Sequence, residues 1–396
     1  MSAVRRWLGS DAVAGDVRLR LACAALLLFH CHTFGVWHAD HAAVLSTYGI
    51  LTGNVLPTPL ALALGGPFFP SPFWTLFHLA GLYFLGLWGL LFLFRKDCLG
   101  ALVILAFLSA NKLYYYASDL RLHADTHPLH LFLTFLFLIA RDKLFFFRAG
   151  VVVSYWVLAR AKLNASWLGG EYFLSLPEFP PAAAGLAPLW VVWEALGPLL
   201  WLTRSRPARL AAVVVFAAAH LVYGALGAPD FAYLMLPVLI IAFYDAEDGL
   251  RQNRPQPAAW LALAAMLAVG VPLAQDNRAG NVQIVIEKAG QVRSFEVEWP
   301  WRLPTRLSDG TTLPAGVPTY RGDWRRTVRD GEVLVFNPYA FVSLPNRLLG
   351  PWPFKAYARR LCRDWRPDHV RVTLDVRRDG RMQADRVLDA AELCTP

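Results

Sequence analysis

Nine apolar stretches punctuate the first 275 residues, and their lengths limit the fold more than any other feature of the chain. They lie at about residues 17–37, 73–94, 98–117, 127–140, 150–163, 186–202, 210–226, 231–244 and 258–274. A helix rises ~1.5 Å per residue, so about 20 apolar residues cross a hydrocarbon layer of about 30 Å. The longer stretches meet that length, and several fall short of it. Only 17% of the 396 residues are charged, against about a quarter in soluble domains. Because the hydrophobic 56% is gathered into runs, the surplus belongs to helices dissolved in lipid rather than to one large core. A soluble cytosolic protein, a disordered chain, collagen and a disulfide-stapled mini-protein are all excluded.

Lys and Arg are retained on the cytoplasmic face of a membrane, so their placement tests the count of crossings. Arg5, Arg6, Arg18 and Arg20, then Arg95 and Lys96, Arg141 and Lys143, Arg204, Arg206 and Arg209, and finally Arg251 and Arg254 all fall on one side. The intervening segments 39–72, 118–126, 164–185 and 227–230 hold few bases. Nine crossings from an inner N-terminus leave the C-terminus outside. The first stretch lacks a small-residue cleavage site and is followed by further spans, which marks it as a retained helix rather than a signal peptide. Topology thus accounts for much of the net charge of +9. No zinc knuckle or basic helix accompanies the rest, and nucleic acid is not an expected partner.

From about residue 276 the pattern changes to strand-like alternation, at 282–286, 293–298 and 370–376, with turn signals at Asp309-Gly310, Asp330-Gly331 and Asp379-Gly380. An amphipathic helix is expected over 353–365. The chain therefore divides into a polytopic, all-α membrane domain of about nine transmembrane helices, residues 1–275, and a C-terminal extramembrane α+β domain, residues 276–396. Of the five cysteines, Cys23, Cys31 and Cys98 lie in or beside apolar helices. Cys362 and Cys394 fall in the exported part, where a disulfide between them is open.

Chemistry-bearing residues are few. Lys162 lies 14 residues beyond Arg148, about 21 Å further along a helix and near the outer third of the bilayer. A lysine there is costly unless it is paired, functional, or able to extend its ammonium to the headgroups; on spacing alone that snorkelling reading leads. Glu194 and His220 also sit within apolar stretches, where pairing between helices and a part in chemistry are equally open. His30, His32, His38, Asp40 and His41 are ligand types for zinc or copper. His30 and His32 are about 200° apart on a helix, however, and the other three are expected on an outer loop with no fourth ligand, so no metal is expected. The aromatics Tyr114 to Tyr116, Trp156, Trp167 and Tyr172 read as an interfacial belt.

The run from Arg148 through Tyr155 to Ala161-Lys162-Leu163, then Asn164, Trp167 and Gly169, resembles the helix bearing the catalytic lysine of vitamin K-dependent gamma-glutamyl carboxylases, which belong to the wider HTTM (horizontally transferred transmembrane) group. Lys162 falls on the second lysine of that pattern. Glu194 resembles an acidic residue of the next helix, 216–220 a Phe-His-bearing span, and Phe231-Ala-Tyr-Leu-Met-Leu236 the Phe-Ser-Tyr-x-Met-Leu run after it. Further on, Phe336-Asn-Pro-Tyr-Ala-Phe-Val342, Tyr357-Ala-Arg-Arg-Leu361 and Arg378-Asp-Gly-Arg381 are similar to later motifs in the same order. There are departures too. Ala159 replaces a glycine, Arg160 stands where a small or apolar residue is usual, Ala161 replaces the first lysine, and a Tyr-x-Trp-Met-Met core is compressed, with Tyr320 and Trp324 as its candidate remnants.

The resemblance implies an enzyme that oxidises a reduced naphthoquinone (vitamin K or menaquinol) with O2 to drive proton abstraction and CO2 addition at a glutamate. Lys162 would be the base, and must be uncharged to act. His127, aligned with a family histidine among His123, His127 and His130, would hydrogen-bond the quinone oxygen. Tyr155, Asn164, Trp167 and His220 would contact the quinone. Implied partners are the lipid bilayer, the quinone and a glutamate-containing exported protein or peptide. Ala, Arg and Pro usage is bacterial in character, so that outside means the periplasm of an inner membrane. The alternative is a non-carboxylating member that binds quinone or lipid, or anchors an extracytoplasmic partner, with Lys162 as a structural cation. A transporter has less support, because no pair of broken inverted-repeat helices is visible.

Overall fold

The computed structural model describes residues 2–48, 72–118, 126–163, 168–169, 185–203, 205–225, 229–244 and 256–273, together with the backbone of strands between 278 and 388. Its helices are α1 Ser2–Leu8, α2 Ser10–Gly15, α3 Val17–Tyr48, α4 Pro72–Phe94, α5 Cys98–Ser118, α6 Thr126–Ile139, α7 Lys143–Ala161, α8 Ala187–Leu200, α9 Arg206–Ala225, α10 Pro229–Phe243 and α11 Pro257–Leu273. Three of them, over Val17–Ala39, Trp74–Phe94 and Cys98–Tyr116, are long and apolar enough to cross a membrane. Others are apolar but shorter. The 14 residues of α6 span only about 21 Å.

Exposure separates a lipid-facing helix from a core helix of a soluble protein. Only 28% of the α4 span is buried within the protein, and its outward side shows Phe77, Phe84 and Trp88. A contiguous aromatic face of that kind suits a bilayer and not water. On the opposite side α4 packs along α3, which also meets α5, α6 and α10. The main core gathers there around Leu26, Phe34, Leu102, Leu105, Phe137 and Tyr155. A smaller cluster of Phe146, Val153, Val157 and Leu263 ties α7 to α11.

The start of α3 follows from two residues. Asp16 accepts the backbone N–H of Arg18 at 2.8 Å and the Arg18 guanidinium at 3.2 and 3.0 Å, which caps the helix. Partial burial pushes its carboxyl up, but the bonds and charge of Arg18 outweigh this and hold it below the usual carboxylate range. The far end corrects an expectation. Residues 38–48, read as an outer loop, continue α3 to Tyr48. Their Ala- and Leu-containing sequence holds no Gly or Pro before Gly49, so nothing local stops the helix.

Three basic residues close helix C-termini, and two of them, Lys143 and Arg209, are among those expected to set topology. Lys143, 1% exposed, directs its ammonium to the carbonyls of Phe137 (2.5 Å), Ala140 (3.0 Å) and Leu138 (3.4 Å) at the end of α6. Arg148 donates from Nε to Ala242 O of α10 at 2.5 Å, and Arg209 donates to Thr203 O beyond α8 at 2.7 Å. Each places a cation on orphan carbonyls at the negative pole of a helix. Gly9 shapes the same end. It has φ +62°, and a Cβ there would meet the Lys143 stem at 3.1 Å.

In the C-terminal third, β1 Arg278–Lys288, β2 Gln291–Val297, β5 His369–Arg378 and β6 Arg381–Leu388 form an antiparallel sheet in the order β2-β1-β5-β6. Val282 pairs with Val297 and Ile284 with both Phe295 and Val372. β3 Arg325–Arg329 and β4 Glu332–Phe336 pair separately, with Arg329 opposite Glu332. The alternating stretches read at 282–286, 293–298 and 370–376 fall in or overlap β1, β2 and β5, and two of the Asp-Gly signals fall between paired strands. The expected helix over 353–365, the Cys362 and Cys394 pair and Asp309-Gly310 lie outside the described residues, as do Tyr320, Trp324 and the 357–361 motif.

Replacing Lys143 with Met removes the ammonium from three carbonyls while keeping the stem's bulk. The expected loss is about 2 kcal/mol of stability, read as a lower melting temperature of the purified protein in detergent.

Candidate functional site

Helical spacing brings the site together. On α7, Arg148, Tyr155 and Lys162 recur every seven residues, which puts them within about 20° of one face and some 10 Å apart along the axis. The helix ends at Ala161, and Lys162 closes it, its N–H shared between Leu158 O (3.2 Å) and Ala159 O (3.1 Å). The lysine therefore projects from the last turn toward α8. There its Nζ bonds Oε1 of Glu194, an ion pair in which the Lys162 side chain is 14% and the Glu194 side chain 1% exposed. Trp190 lies one turn before Glu194 on α8, beside the same carboxyl.

Below this pair, the Tyr155 hydroxyl bonds Nε2 of His220 from α9. Both side chains are fully buried. The two pairs belong to one neighbourhood, since His220 lies within electrostatic reach of Lys162 and Tyr155 within reach of Glu194. Phe216, one turn before His220, packs its ring 4.6 Å from Tyr155 and 4.8 Å from Trp201. Phe231 of α10 lies 5.1 Å from the imidazole. Nδ1 of His220 is buried and has no hydrogen-bond partner among the described residues. Chemically, the group offers an amine, a carboxyl, a phenol and an imidazole against aromatic faces: a place able to hold and pass protons away from water.

Close approach of α8 to α9 depends on Gly197. A Cβ there would lie 2.8 Å from the Phe216 ring, so the absent side chain is what lets the Glu194 helix sit against the His220 helix. Trp156 Nε1 donates to Ala195 O at 3.1 Å and pins α8 to α7 in the same region.

Of the residues expected from sequence, Lys162, Tyr155, Glu194 and His220 meet here. Asn164, Trp167 and His123 lie outside the described residues. His127 belongs to a different group, between α3, α5 and α6, where its ring packs 5.0 Å from Trp37 and 6.4 Å from Phe29. Lys112 stands at the centre of that group. Fully buried on α5, it donates to Thr33 Oγ1 and His130 Nδ1, both at 3.0 Å, with the Phe29 ring 4.6 Å away. His130 Nε2 meets Leu26 O, and His30 Nε2 meets Ser109 Oγ, each at 3.0 Å. Sequence reasoning missed Lys112, although a lone lysine inside the apolar run at 98–117 was the signal. His32 turns instead to the Tyr233 ring, 5.0 Å away. Among the described residues no three metal-ligating side chains gather, and the side chains of Asp40 and His41 are not among them.

No family model, curated protein or solved structure matches the chain.

A methyl group at Gly197 must displace Phe216. Gly197→Ala is expected to destabilise the protein by roughly 1–3 kcal/mol through overpacking, measured as a fall in melting temperature, whereas the same change at Gly81, where a Cβ meets nothing within 4 Å, leaves it nearly unchanged.

Proposed function

We propose that the chain is an integral membrane protein resembling the vitamin K-dependent carboxylases, with Lys162 as the base toward a reduced naphthoquinone. The observation that carries this reading is convergence. Tyr155, Lys162, Glu194 and His220 were each singled out by resemblance in three separate stretches of sequence, and all four meet in one buried group. Their separation in the sequence, over three helices, makes the meeting informative. In this reading the chain crosses the membrane about nine times, from a cytoplasmic N-terminus to an outer α+β domain over 276–396.

The donor set suits such a ligand. A flat apolar ring carrying two oxygens calls for aromatic walls and a few placed polar groups, which Tyr155, Phe216, Trp190 and Trp201 supply around an amine and an imidazole. When bound, the reduced quinone supplies the reducing power that O2 consumes to drive glutamate deprotonation and CO2 capture. The protein's part is to take a hydroxyl proton on Nζ of Lys162, to hold it beside the Glu194 carboxyl, and to exclude water. Burial of the whole group strengthens each of these polar contacts. The imidazole that the described contacts bring to Lys162 is His220, so its orphan Nδ1, rather than His127, is the nearer candidate to bond a ring oxygen.

One observation favours the second reading, a non-carboxylating protein that binds quinone or lipid or anchors a partner: Lys162 is already engaged by Glu194, as a structural cation would be. Arginine separates the two. Lys162→Arg keeps a cation for Glu194 but cannot give up its proton. Purified protein in nanodiscs, supplied with reduced vitamin K and O2, is expected to form epoxide, and Lys162→Arg to form it about 100-fold more slowly or worse. Equal rates would remove Lys162 as the base. A wild type that retains quinone yet makes no epoxide would establish the binding reading, and labelled CO2 with a glutamate peptide then tests carboxylation.

A further inference from the structure

Resting on that reading, we propose that Glu194 is the positioning residue for Lys162, and that it holds the proton the lysine must shed before it can act. Of the described carboxylates only Glu194 is bonded to the Lys162 amine, and it is almost wholly buried. Separate charges in such surroundings are costly to desolvate, whereas an amine and a carboxylic acid keep the same hydrogen bond with no net charge on either. The step is a transfer within the bond. An N–H of the ammonium breaks, an O–H forms on Oε1, and the pair is neutral overall before and after. The freed lone pair on Nζ then accepts the hydroxyl proton of a bound quinol, whose O–H bond breaks as a new N–H bond forms. No exchange with water is needed to arm the base, which suits a group in which Glu194, Tyr155 and His220 are buried.

Glutamine at 194 keeps an acceptor for the lysine on Oε1 but cannot hold its proton, so it separates hydrogen bonding from proton storage. Wild type, Glu194→Gln and Glu194→Asp are therefore compared in the same nanodiscs by two measurements. Infrared spectra in H2O and D2O report the carbonyl stretch of a protonated carboxyl, and epoxide formation at varied quinol gives kcat and KM. The expected result is a protonated-carboxyl band that is present in wild type and lost in Glu194→Gln. Its kcat should fall at least about tenfold with KM within about threefold, and Glu194→Asp should recover part of the rate. Loss of no band, or turnover by Glu194→Gln equal to wild type, overturns the proposal. The band without epoxide from wild type upholds the proton's place on Glu194 and sinks the enzymatic reading; epoxide without the band does the reverse. If Glu194→Gln does not fold, a band that shifts in Glu194→Asp upholds the assignment, and an unshifted band overturns it.

Discussion

A polar group surrounded by hydrocarbon has no water to turn to, and most of the described architecture answers that constraint. Each helix ends with carbonyls that its own backbone cannot satisfy. At one end of the bundle the answer comes from cations of neighbouring segments: Lys143 on α6, Arg148 on α10 and Arg209 beyond α8. These cations fasten helices to one another. A positive charge near a membrane boundary is cheapest where a helix presents its negative pole, so topology and tertiary packing ask for the same side chains.

The interior answers the constraint in two separate places. Between α3, α5 and α6, Lys112 is surrounded by neutral acceptors and a ring face. Between α7, α8 and α9, Lys162 meets a carboxylate, with a phenol and an imidazole beneath. Both are lysine amines in an apolar setting, yet their surroundings differ in kind. A proton passed from Lys162 to Glu194 turns an ion pair into a neutral pair, whereas one passed from Lys112 to an imidazole would only move a buried positive charge. That difference makes the second group the one suited to proton transfer.

Much of this was legible in the sequence, though unevenly. Apolar runs announced the helices because hydrophobic length is a one-dimensional property. Lys162, Glu194 and His220 stood out because an ionisable residue inside such a run is conspicuous, and spacing alone places Tyr155 above Arg148 and below Lys162. Partnership was not legible. Nothing in the linear pattern says that His220 turns to Tyr155 while His127 turns to Trp37, since both lie in similar apolar contexts and the choice is made by how helices pack. Lys112 escaped notice among tyrosines that read as an interfacial belt. The continuation of α3 to Tyr48 was hidden because polar His and Asp look like loop when the local chain merely lacks a helix breaker.

The stripe on α7 has a mechanical consequence. Arg148 grips Ala242 near one end, Tyr155 grips His220 midway, and Lys162 grips Glu194 at the other. Three fastenings along one line leave the rod no freedom to twist or piston independently: turning it by a single residue's 100° would tear all three at once. α7 therefore cannot slip along its neighbours one contact at a time: a shift against α8, α9 and α10 breaks all three fastenings together.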